Sequence, residues 1–144
     1  MANYKELVQE IVDQVWNPAR GPSAMDRYYA PDYRNNDPSN PQITDRDGLR
    51  AFATAFAEGF PDYSLEVLDL IGEGSKVVKR FLFGGTHTGT FNGSPPTGRH
   101  VEVIAACVYR FEGDKVAECW WHHNMLGLME QLGFELAPAA VAPA

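Results

Sequence analysis

The chain has 144 residues, 44% of them hydrophobic, with 12 basic and 19 acidic side chains and a net charge of -7. That length suits one domain with a sizeable core, and an acidic balance without any Lys/Arg cluster speaks against a nucleic-acid partner. An anionic substrate would be poorly steered except beside a local arginine.

Residues 3–17 carry Leu7, Val8, Ile11, Val12, Val15 and Trp16 at helical spacing behind an Asn3/Glu6 cap pattern, which predicts an amphipathic helix ended by Asn17-Pro18. A short second helix is expected from Ala24 to Tyr29, cut off by Pro31. Tyr33-Arg34-Asn35-Asn36-Asp37 then reads as a brief extended segment with polar side chains that can point inward. A third helix, capped by Thr44 or Asp45, runs to about Gly59 with Leu49, Phe52, Ala53 and Phe56 as its apolar stripe. From Tyr63 the period becomes two, which predicts strands at 63–67 and 76–86 about a Gly72-Glu73-Gly74-Ser75 turn. A loop at 88–98 leads to a hairpin whose first arm alternates through Val101, Val103, Ala105, Cys107, Tyr109 and Phe111. The second arm ends in Glu118-Cys-Trp-Trp-His-His-Asn124, and a last helix follows from Met125 to Leu132. Helices first and a meander afterwards indicate a single α+β domain over 1–136, with an Ala/Pro tail, 137–144, expected to be disordered.

No apolar run approaches the roughly 20 residues that span a bilayer, and the first residues hold no apolar signal core, so a cytoplasmic protein is expected. Cys107 and Cys119 fit no zinc spacing and read as reduced thiols on neighbouring strands.

Gly85-Thr-His-Thr-Gly-Thr-Phe-Asn-Gly-Ser-Pro-Pro-Thr-Gly98 with Arg99, then Tyr109-Arg110-Phe111 and Leu126-Gly-Leu-Met-Glu-Gln-Leu-Gly133, resembles the SnoaL-like polyketide cyclase family. Val15-Trp16-Asn17, Ala30-Pro31-Asp32, Gly48-Leu49-Arg50 and Phe60-Pro61-Asp62 extend the resemblance over nearly the whole chain. It implies a curved antiparallel sheet which, with N-terminal helices, forms a cone-shaped α+β barrel around a ligand cavity, as in ketosteroid isomerase and scytalone dehydratase. It also implies a homodimer or homotetramer joined through the sheet, and ring closure by intramolecular aldol condensation without metal or organic cofactor. The chain departs from the family at its catalytic aspartate, which falls at Asn124, and at a histidine that often precedes the Asp of its Asp-Pro segment, where Asn36 precedes Asp37.

Strand parity separates the two central histidines: Trp120, His122 and Asn124 share one face, and Cys119, Trp121 and His123 the other. Only one set can face a cavity. His122 is the preferred substitute base, because histidine exchanges protons near neutrality and this one shares a face with Asn124. Asp37 would assist it, and Asn124 would donate to a developing oxyanion or cap the last helix. Arg80, if it and not Lys79 faces inward, would polarise a carbonyl, with Tyr33, Asn36, Trp120 and His123 as further substrate contacts. His87 reads as a loop-shaping residue. The implied activity is proton transfer next to a carbonyl of a hydrophobic, oxygenated ring. Cyclisation, isomerisation, dehydration and epoxide opening would use similar groups. The alternative is a ligand-binding or oligomerising module that has kept the cone and lost the carboxylate.

Overall fold

A computed structural model describes residues 3–140 as four α-helices and one five-stranded sheet. Helix α1 spans Tyr4–Gln14, with the Asn3 side chain accepting from the Glu6 amide, and it buries Val8, Ile11 and Val12. Each such side chain stabilises the fold by about 1.5–3 kcal/mol. A single 3₁₀ turn, Pro22–Ala24, leads into α2, Met25–Tyr28. Strand β1 then runs Tyr29–Asn36, longer than the brief segment that its polar residues suggest. Helix α3, Arg46–Gly59, starts on an Asp45 cap and is followed by β2, Ser64–Glu73, and β3, Lys76–Thr86. The chain continues through β4, His100–Glu112, β5, Lys115–His122, and α4, Met125–Gln131. Residues 137–140 of the tail are exposed without regular structure, and its last four residues lie outside the described ones.

The sheet order is β1-β5-β4-β3-β2. The α+β architecture follows the sequence reading, with two refinements. Strand β1 lies parallel to β5, so the sheet is mixed and not wholly antiparallel, and β1 does not pair with β2, so it stays open. Helices α1, α3 and α4 cover one face, where Val8, Ile11, Leu49 and Leu128 join Val77, Phe81, Val101, Cys107, Tyr109 and Trp121 in one core.

Register within the sheet decides what that core contains. Near the hairpin turn Glu112 pairs with Lys115 and Phe111 with Val116, and a regular ladder from there would turn the even residues of β5 inward. Instead Arg110 pairs with Glu118, leaving Ala117 as an extra residue. Both Val116 and Ala117 are buried, and from this bulge onward the odd residues, Cys119 and Trp121, face the core. A comparable shift on β2 lies between Val67 and Asp69.

The 88–98 loop is fixed to the end of α3. Gly89 donates its amide to the Gly59 carbonyl, and a Cβ on Gly89 would fall 1.8 Å from the Glu58 carbonyl oxygen, so only glycine fits there. His87 is fully buried under this loop, stacked on Phe60, and its Nδ1 accepts from the Thr97 amide, which leaves the ring proton on Nε2.

Candidate active site

Between the helices and the inner sheet face lies a partly open cavity of about 50 Å³, its walls almost wholly apolar. Phe52 and Phe56 come from α3, Phe81 and Phe83 from β3, Trp121 from β5 and Trp16 from beyond α1. The polar groups that reach it are His123, Asn124 and Tyr63.

His123 follows β5 in the inward phase that the Ala117 bulge establishes. Its ring stacks on Trp121 at 5.4 Å between centroids and 11° between planes, with Phe52 on a tilted approach at 5.9 Å. Its Nε2 lies 3.1 Å from Oδ2 of Asp37. The ring N–H is not well enough aligned to make this a hydrogen bond, so Nε2 is otherwise unpartnered and the contact is a charge pair whenever the imidazole is protonated. Among the described residues no hydrogen bond engages Nδ1 of His123.

Asp37 has a side chain only 2% exposed and accepts from the Ser39 amide at 2.9 Å and from Nδ2 of Asn40 at 3.0 Å. Burial by itself pushes the carboxyl up, but His123, Asn40 and Ser39 outweigh it and hold the group below the usual carboxylate range. It therefore stands ionised beside His123. Asn124 lines the cavity, but its Oδ1 accepts from the Gly127 amide at 2.9 Å as the N-cap of α4. Tyr63 adds a phenol whose titration burial moves far upward, so it remains a neutral donor.

Several expected site residues lie elsewhere. His122 is exposed and faces out from the sheet opposite Ala106, and it shares no face with Asn124, because β5 ends at His122 and the chain turns there into the cap of α4. Trp120 shares that outer face, half-buried beneath Nζ of Lys76 at 5.4 Å. Arg80 points to solvent and pairs with Asp69 at 2.6 Å, since Val77, Phe81 and Phe83 claim the inward phase of β3. Asn36 donates to Glu118 and to the Cys119 carbonyl at the β1–β5 seam and does not reach the cavity. Tyr33 is buried below it, donating to Oδ1 of Asn35 at 2.6 Å. Of the expected residues, then, Asp37, His123 and Asn124 converge at the cavity end of β5.

Sequence reasoning gave no role to three residues, of which Lys79 was weighed only as the alternative to Arg80. Asn35 accepts from both Tyr33 and Nε1 of Trp121 and so fixes the indole under His123. Tyr63 looks only like the first residue of a strand. Lys79 is fully buried, with Nζ donating to the Tyr109 hydroxyl at 2.9 Å, and the inward phase of Val77 and Phe81 is the signal that places it. The two cysteines are free and buried, and among the described residues no three His, Cys, Asp or Glu side chains cluster as a metal site would require. No described helix is long and apolar enough to cross a membrane.

An open five-stranded sheet covered by helices around an apolar cavity, with an imidazole and a carboxylate at one end, is the architecture of the SnoaL-like α+β proteins. The SnoaL-like polyketide cyclase profile matches residues 6–132, and the chain belongs to that family. Its structure is similar to that of a protein from Jannaschia sp. CCS1 assigned as a SnoaL-like polyketide cyclase, with 25% identity, a TM-score of 0.82, and 91% of this chain and 92% of the other covered. AclR from Streptomyces galilaeus, assigned as a hydroxylase, is 30% identical with a TM-score of 0.81 over 92% and 97% of the two chains. IdmH from Streptomyces antibioticus, assigned as a polyketide cyclase, shares the fold with a TM-score of 0.80 at 24% identity over 92% and 100%. No curated protein matches the sequence.

Proposed function

We propose that the protein catalyses proton transfer next to a carbonyl of a hydrophobic, oxygenated ring compound, with His123 as the base. One observation carries this reading: the imidazole that lines the apolar cavity also lies 3.1 Å from a buried, ionised carboxylate. Uptake of the substrate proton makes His123 a cation, and Asp37 stabilises that cation where water is scarce. The residues thus divide between them the work that an aspartate at position 124 does elsewhere in the family. Tyr63 and the Asn124 amide are the donors for a developing enolate oxygen; its carbon then closes a ring by attacking a carbonyl of the same molecule, and the alkoxide so formed takes back the proton held on His123.

A second reading, a binding module without turnover, is favoured by the commitment of the Asn124 oxygen to the α4 cap. In either case the uncovered sheet face, with Ile104 at 49% and Ile71 at 64% exposure, suits assembly of copies through the sheet. Solvent-deuterium incorporation α to the carbonyl of an enolisable aromatic ketone such as 2-tetralone, followed by proton NMR, separates the two readings. Enzyme-dependent exchange is expected of the proton-transfer catalyst, and exchange at the buffer rate would leave the binding module.

A further inference from the structure

Lys79 takes no part in the chemistry proposed above, and its surroundings are unusual for a lysine. It is 0% exposed, and among the described residues it forms no ion pair. Lys79, Cys107 and Trp121 stand in one cross-strand row on the inner face, and the small Cys107 lets the lysine chain cross over it. Nζ ends 4.4 Å from the Phe81 ring centroid, 5.3 Å from Tyr109 and 5.5 Å from Trp121. Phe81 and Trp121 are also cavity walls, so the amine lies against two of the rings that face the ligand space.

We propose that the part of the cavity walled by Phe81 and Trp121 is a subsite for an oxyanion on an aromatic ligand, a phenolate or enolate oxygen, which the buried ammonium of Lys79 holds through space. This deepens the proposed function by naming the ligand class, and it rests on that reading only for the site of binding. Burial of a cation without a carboxylate is unfavourable, and a leucine or methionine would fill the same volume without the penalty. Three rings and one hydroxyl offset part of it.

The groups that face Nζ leave its charge uncompensated. Burial moves the Tyr109 phenol and the Cys107 thiol upward, so both stay neutral near neutral pH. The same burial lowers Lys79 to about 8, which still leaves it mostly protonated at neutrality. An anion in the cavity would supply the missing counter-charge in a medium where charges act strongly.

The test is the ionisation of bound 2-naphthol, read from its absorbance and fluorescence, with naphthalene as the neutral control. An apolar cavity alone would drive the bound naphthol toward its neutral form. The proposal predicts the opposite, a bound naphtholate fraction raised about tenfold over that in buffer at the same pH. Lys79→Met should lose that gain while binding naphthalene as the wild type does, and Arg80→Met, which removes the neighbouring cation on the outer face, should keep it. If Lys79→Met does not fold, the wild type still decides, because its affinity for naphtholate should fall as pH rises through the titration of Lys79. Neutral bound naphthol in the wild type, or an undiminished gain in Lys79→Met, would overturn the subsite. Naphthalene that binds beside an unshifted naphthol would overturn this inference alone, and failure of both to bind would overturn the cavity reading with it.

Discussion

The two faces of β5 carry nearly the same pair of residues, Trp120 and His122 outside and Trp121 and His123 inside, in different surroundings. The outer tryptophan is half-buried under a surface lysine, and the outer histidine is exposed. Inside, Trp121 is 3% exposed and held by Asn35, and it carries on its ring a histidine that meets a buried carboxylate. Chemical identity along a strand therefore says little about function, and one extra residue at 117 decides which pair becomes a site.

Adding a further residue is the most severe way to break the comparison. Inserting one alanine between Glu118 and Cys119 would slide the rest of β5 by one position along β4, turning Trp120 and His122 inward while exposing Cys119 and Trp121. We expect it to abolish the cooperative thermal transition, measured by circular dichroism; a native-like melt would show that the register does not set the phase.

Two substitutions inside the core act at a smaller scale and in opposite directions. Asp37→Asn replaces the buried carboxylate that accepts from Ser39 and Asn40 beside His123 and should destabilise the fold by about 1–3 kcal/mol near neutral pH, read by urea denaturation. Because the folded Asp37 titrates lower than an unfolded one, its contribution is complete above the unfolded value and is lost as pH falls through the folded value. Acid denaturation of the variant should therefore be shallower below about pH 4. Lys79→Met should raise stability near neutral pH, on the order of 3 kcal/mol, because the folded lysine titrates at about 8 and an unfolded one near 10.5. Between these values the unfolded chain binds more protons, so wild-type stability should climb with pH there, and the variant should not share that slope. The smallest effect belongs to the outer face: His122→Ala should change stability by less than about 0.5 kcal/mol in the same urea titration.

Much of the fold was legible in the pattern of apolar residues. The helical stripes at 7–16 and 49–56 and the alternation from Val101 to Phe111 each mark a face that the structure buries, and the loop motif around Gly89 carries the family resemblance. The site was legible only in part. Asp37, His123 and Asn124 were all singled out, but the preference for His122 extended the period of two as far as Asn124, whereas β5 ends at His122 and Asn124 turns into the cap of α4. Lys79 was obscured because both faces of β3 are apolar, Val78 and Leu82 on one side and Val77, Phe81 and Phe83 on the other, so alternation alone assigns neither neighbour inward. Asn35 and the pairing of β1 with β5 depend on a contact between residues more than 80 positions apart, which no local pattern records.

The central claim is that catalysis follows the inner face of β5, and deuterium exchange into 2-tetralone by the two histidine variants, side by side, tests it most directly. His123→Ala should lower the enzyme-dependent rate by about 100-fold or more, while His122→Ala exchanges as fast as the wild type. Loss of exchange in His122→Ala with full activity in His123→Ala would contradict the account.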